Sequence, residues 1–309
     1  MRCKAILMTV EARGVRFHTA AIAKTAYRCF EIRPRLLSLL LPVMLWLTAC
    51  IHIPTPLERS DHAQKLATQA GWGKEVISTD NFTLLAYLPA IHSRTQTLAI
   101  YLEGDGLAWI DSSTLSDDPT PTNPLALKLA LRDKTPSVYL ARPCQYTGAE
   151  QQRNCTQKYW GSHRFSPEVI RATDQAIDQL KHQFGADRLI LVGYSGGGAV
   201  AALVAAQRHD VSRLITIAGN LDHRSWTAEH GISPLTGSLN PADAWEQLKL
   251  IPQTHYVGGK DQIVGESTAR AYASKFPSNM APTIVVIPDF DHHCCWETRW
   301  PALKNDGIR

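Results

Sequence analysis

The run Arg188-Leu189-Ile190-Leu191-Val192 leads directly into Gly193-Tyr194-Ser195-Gly196-Gly197-Gly198, and a small-residue segment continues to Ala206. An apolar run stopped by glycine predicts a buried strand, and the Ala- and Val-rich residues after it predict a helix. Between the two, Gly193, Ser195 and Gly197 form G-x-S-x-G, in the strand-to-helix context that this motif requires. A strand that turns sharply into a helix holds its central residue in strained backbone geometry, and neighbours without side chains avoid the clashes. The Ser195 hydroxyl is thereby pushed out above a sheet. It also sits at a helix N-terminus, where free N–H groups and the helix dipole favour negative charge.

Around this point the chain alternates strand-like and helix-like segments, the pattern of an α/β fold with a mostly parallel sheet flanked by helices. Residues 75–78 and 82–87, around Thr79-Asp80-Asn81, read as an opening hairpin. Strands are expected at 97–102, 137–141, 214–218, 255–257 and 283–287, and helices at 167–184 and 267–275. Residues 221–250, rich in Trp, His, Pro and Gly, are too long for a simple connection. They read either as a lid over a pocket or as a helical insertion packed away from it.

A serine hydroxyl is a weak nucleophile until a base takes its proton, so Ser195 calls for a histidine and for a group to orient it. Asp261 follows the strand at 255–257, and Asp291-His292-His293 follows the strand at 283–287. Serine, acid and histidine in this order, each after a strand, resemble the α/β-hydrolase family across roughly residues 75–300. The resemblance implies an α/β-hydrolase fold with a lid-like insertion, Ser195 as nucleophile, His292 as general base and Asp261 as the acid that holds its tautomer. His293 is the alternative base and Asp222, after the strand at 214–218, the alternative acid. Gly196 N–H is the expected first oxyanion donor. The second is expected from Asp105 or Gly106 in Glu103-Gly104-Asp105-Gly106, where the family often carries histidine in place of Glu103. Trp160, His163 and Arg164 are candidates for pocket lining or for plain packing. The implied chemistry is acyl transfer without a cofactor, with an ester as the first-choice substrate. Amide, peptide and thioester bonds use the same residues, and a non-catalytic binding module is the alternative from another class.

The chain of 309 residues has 44% apolar and 19% charged residues, which excludes collagen, coiled coils and polytopic membrane proteins. Its net charge of +4 is uneven. Residues 1–49 hold eight Lys/Arg and two Asp/Glu, leaving 24 against 26 in the remainder, so a nucleic-acid partner is not expected. The apolar run at 36–47, preceded by Arg33 and Arg35, spans about 18 Å as a helix and is too short to cross a bilayer core. It has the length of a signal-peptide core, and Leu47-Thr48-Ala49-Cys50 resembles a bacterial lipobox. The expected organisation is a leader (1–49), a lipidated Cys50 with a tether (50–70) and a hydrolase domain (71–309). Lipidation anchors the protein to a membrane without spanning it, and Ile51 in place of Asp favours the periplasmic side of the outer membrane in a Gram-negative host. Outside the cytosol, Cys144, Cys155, Cys294 and Cys295 are disulfide candidates, with the ten polar residues between Cys144 and Cys155 suited to one small loop and the pairing otherwise open. His292-His293-Cys294-Cys295 lacks the spacing of a metal site, and no metal is expected.

Overall fold

The computed structural model describes residues 53–148 and 153–306. The leader, the lipobox and Cys50 lie outside these residues. Among the described residues, eight strands form one sheet in the order β1-β2-β4-β3-β5-β6-β7-β8, with β1 Trp72–Ser78, β2 Thr83–Pro89, β3 Thr97–Leu102, β4 Ser137–Leu140, β5 Arg188–Tyr194, β6 Val211–Ile217, β7 Gln253–Gly258 and β8 Thr283–Ile287. The β1–β2 hairpin is antiparallel, with Ser78 opposite Thr83, and β2 meets β4 antiparallel; every later pair is parallel.

Period-two alternation sends each strand's side chains into two cores. Leu98, Ile100 and Leu102 of β3 join Leu189 and Leu191 on one face, beneath the helices α3 (Pro167–Phe184) and α4 (Gly196–Ala205). Ala99 and Tyr101 join Val192, Ile215 and Tyr256 on the other, beneath α1 (Pro56–Gln69), α2 (Leu125–Arg132) and the C-terminal α8 (Trp296–Asp306). Trp296 and Trp300 of α8 are fully buried there, and Trp300 Nε1 donates to Tyr101 Oη at 2.8 Å.

The tether leads into a helix, as read from the sequence, and that helix is α1 from Pro56, started by a Thr55–Glu58 capping box. Its Arg59 is buried and donates to the carbonyls of Asp118 and Thr120. Residues 221–250 contain the short helices α5 (His223–Glu229) and α6 (Trp245–Leu248). Within this insertion Asn240 Nδ2 donates to Asp222 Oδ1 at 2.9 Å, and Leu239 N donates to the Phe165 carbonyl at 3.0 Å. The remaining helix, α7 (Glu266–Ala273), connects β7 to β8.

The disulfide choice left open by spacing resolves as Cys144–Cys155, with Cα atoms 5.6 Å apart, and Cys294–Cys295 between neighbours. The Cys144–Cys155 bridge closes a loop of 11 residues' separation, which restricts the unfolded chain by about 3 kcal/mol in the chain-entropy account. Replacing both cysteines by serine is therefore expected to lower the unfolding free energy by about 3 kcal/mol in a denaturant titration.

Candidate active site

Parallel strands deliver the loops at their C-terminal ends to one edge of the sheet, the usual place for a site in α/β folds. Four of those loops carry the candidate residues: 103–106 after β3, Ser195 after β5, Asp261 after β7 and His292 after β8. Ser195 has φ 51° and ψ −121°, a backbone region that non-glycine residues seldom occupy. Its N–H donates to the Ile217 carbonyl at 2.9 Å, and its carbonyl accepts from Gly198 N at 2.9 Å and Asn220 N at 3.1 Å, so both neighbouring elements hold the turn. Gly197 is required because a Cβ there would lie 2.3 Å from the Leu102 carbonyl oxygen.

The structure brings Ser195, His292 and Asp261 into one line. His292 Nε2 is 3.0 Å from Ser195 Oγ, and His292 Nδ1 is 2.8 Å from Asp261 Oδ2. Asp261 Oδ1 accepts from Ile263 N and Val264 N, each at 2.8 Å. These bonds leave the Asp261 carboxylate to accept from Nδ1, so the imidazole keeps its proton there and turns its Nε2 lone pair to the serine hydroxyl. His292 and Asp261 are buried, while Ser195 is half-buried and reachable. The Tyr194 ring lies 5.3 Å from the His292 ring, and its hydroxyl donates to the His292 carbonyl at 3.2 Å.

The alternatives fall elsewhere. His293 is exposed and meets Tyr194 Oη at 3.0 Å through Nδ1. Asp222 caps α5 by accepting from Ser225 N at 3.3 Å and is bonded to Asn240, apart from His292. Trp160 is a packing residue whose Nε1 donates to the Ser116 carbonyl at 3.0 Å. His163 Nδ1 pairs with Ser162 Oγ at 2.9 Å, whereas Arg164 reaches the loop beside the serine.

In that loop the Gly104 N–H is taken by Glu103 Oε1 at 2.9 Å, which leaves Asp105 and Gly106 as the candidates for a donor facing the serine. Among the described residues, no acceptor is bonded to the N–H groups of Gly196, Asp105 or Gly106. The loop is steadied by Gln145, whose Nε2 donates to the Gly104 carbonyl at 2.9 Å, and by Arg142 and Arg164 on the Asp105 carboxylate. Gln145 and Arg142 are absent from the residues expected from sequence. The available signal was the position of Arg142 just after β4, at the same strand-end edge as Ser195.

No protein-family model matches the sequence, and no curated protein matches it. Solved structures do share its fold. The esterase Pf2001 of Pyrococcus furiosus superposes with a TM-score of 0.55 at 13% identity, over 84% of this chain and 96% of that one. Est1E of Butyrivibrio proteoclasticus gives 0.51 at 14%, over 76% and 99%. The acylaminoacyl peptidase of Pyrococcus horikoshii gives 0.53 at 10%, over 80% of this chain and 43% of that one. The sheet order, its flanking helices and these likenesses give this chain the α/β-hydrolase fold.

Glu103, buried beneath the same loop, accepts from Gly104 N and Ala126 N and, among the described residues, forms no ion pair. Burial therefore raises its pKa from 4.5 to about 7, against the opposing pull of those backbone bonds. A folded-state pKa above the unfolded one means the folded protein holds the proton more tightly, so this group costs stability as pH rises from about 4.5 to about 7. Glu103→Gln removes that cost. Its unfolding free energy relative to the parent is expected to increase by about 2 kcal/mol between pH 5 and pH 8, measured by denaturant titration.

Proposed function

We propose that this protein is a serine hydrolase of the bacterial envelope that cleaves ester bonds through an acyl-enzyme on Ser195. The observation that carries the reading is the unbroken hydrogen-bond line from Asp261 through His292 to Ser195 Oγ. Ser195 Oγ attacks the ester carbonyl carbon while His292 Nε2 takes the hydroxyl proton. The carbonyl oxygen gains a negative charge, met by the N–H groups of Gly196 and Asp105. The tetrahedral adduct collapses as the bond to the leaving oxygen breaks, and His292 returns the proton to the departing alcohol. Water then attacks the acyl carbon with His292 again as base, the Ser195 Oγ–acyl bond breaks, and the acid leaves. Asp261 holds the ring and offsets the imidazolium charge throughout.

Esters rank first among the bonds this relay can cleave, since the solved structures that share the fold include the Pyrococcus furiosus esterase Pf2001. A membrane address adds to that reading by suiting lipid or acyl-ester substrates. It rests on the lipobox-like Leu47-Thr48-Ala49-Cys50, with diacylated Cys50 as the anchor and the periplasmic side of the outer membrane as the location in a Gram-negative host.

Two measurements test these readings. Intact mass after treatment with a fluorophosphonate is expected to show one adduct on the full chain and none on Ser195→Ala, whose ester turnover falls by at least about 10⁴-fold. A folded parent that takes up no adduct sinks the proposal. For the anchor, Cys50→Ala is expected to move the expressed protein from the membrane fraction to the soluble one; unchanged membrane partitioning refutes lipidation at Cys50.

A further inference from the structure

An acidic side chain from the loop after β3 stands against Gly196, the residue that follows Ser195. A Cβ on Gly196 would lie 2.1 Å from Asp105 Oδ1, so the carboxylate of Asp105 rests on the residue whose N–H is the first oxyanion donor in the proposed mechanism. A bare carboxylate at that spot opposes the negative charge that acyl transfer places on the substrate oxygen, and in a site poor in water the repulsion is weakly screened.

Two arginines meet it. Arg142 Nη1 donates to Asp105 Oδ1 at 3.1 Å, and Arg164 Nη1 donates to Oδ2 at 2.7 Å. Arg142 also donates to the Arg164 carbonyl and lies over the Phe165 ring at 5.4 Å, while Arg164 Nε donates to the Gly161 carbonyl at 2.8 Å. Both guanidinium side chains are only 5% and 6% exposed, so they are built into the protein and are not solvent counter-ions. Burial alone raises the Asp105 carboxyl, and the arginines more than reverse it, holding the group below the usual carboxylate range. One arginine would neutralise one carboxylate; two more than balance Asp105, and Arg142 also feels the Glu103 carboxyl beneath the same loop. The arms carrying them are joined, since the Cys144–Cys155 bridge closes the segment between Arg142 and Arg164.

We propose that Arg142 and Arg164 are positioning residues for oxyanion stabilisation: they hold the Asp105 carboxylate to one side, cancel its charge, and thereby aim the Asp105 N–H at the reacting oxygen. This inference rests on the serine-hydrolase reading of the same site. It assigns the arginines an effect on the transition state and not on substrate binding, because neither is exposed enough to grip a substrate.

The test uses the full chain and a short activated ester, with folding checked by near-ultraviolet circular dichroism. Arg164→Met is expected to lower kcat about 10- to 100-fold with KM within about threefold, and to slow fluorophosphonate labelling in parallel. Arg164→Lys, which keeps the charge, recovers most of the loss. Asp105→Asn slows the parent modestly, yet raises kcat when added to Arg164→Met, because it removes the carboxylate left uncompensated. A purely structural clamp does not produce that reversal of sign. The proposal is overturned if folded Arg164→Met keeps kcat within about threefold, if its loss lies in KM, or if Asp105→Asn slows it further. Should Arg164→Met not fold, Arg142→Gln with and without Asp105→Asn gives the same reading. A parent that neither labels nor hydrolyses esters refutes the serine-hydrolase reading itself, a result distinct from all of these.

Discussion

The backbone of Ser195, at φ 51° and ψ −121°, is the constraint on which the surrounding architecture depends. An L-residue stays in that region only when its neighbours over-determine it. Here β6 supplies the acceptor for its N–H, Asn220 and Gly198 donate to its carbonyl, and the end of β3 approaches so closely that residue 197 can carry no side chain. The strained turn thus demands β5 at the centre of the sheet with β3 and β6 on either side, which is the observed order. Because these strands are parallel, the same demand collects the loops after β3, β5, β7 and β8 at one edge.

Three acids surround the nucleophile, and each is treated differently by its environment. Asp261 is wrapped by two backbone N–H donors and His292, an arrangement that suits a carboxylate charge at a buried point. Asp105 is answered by two guanidiniums and is held below the ordinary carboxylate range after burial has pushed the other way. Glu103 has backbone donors but, among the described residues, no ion pair, and burial dominates, placing its titration near neutrality at about 7. The divergence between Asp105 and Glu103 follows from partner geometry, since both side chains carry the same chemical group.

Strand alternation and the motif chemistry were legible before the fold was known. The short apolar runs at 97–102, 188–192 and 283–287 read as strands, the last of them only partly buried at the sheet edge, and G-x-S-x-G between a strand and a helix marked the turn. Helices α2 and α8 were not expected. In the short α2 leucine recurs at every second residue, a spacing that fits a strand as well as a helix, and α8 contains Pro301, which normally interrupts one. The same limit hid Arg142: its role is a contact with Asp105, 37 residues earlier, which no local spacing reveals.

By itself the sequence determined the alternation of elements, the identity of the turn residue and the short list of acids and bases that follow strands, because these depend on local periodicity and on what glycine permits. Tertiary structure alone brings His292 rather than His293 to Ser195 Oγ, brings Asp261 rather than Asp222 to His292, and pairs the cysteines. Adjacent residues on a loop differ only in the direction their side chains take, and that direction is set by contacts from distant strands: Asp261 and Ser195 on one side of the loop, Tyr194 on the other.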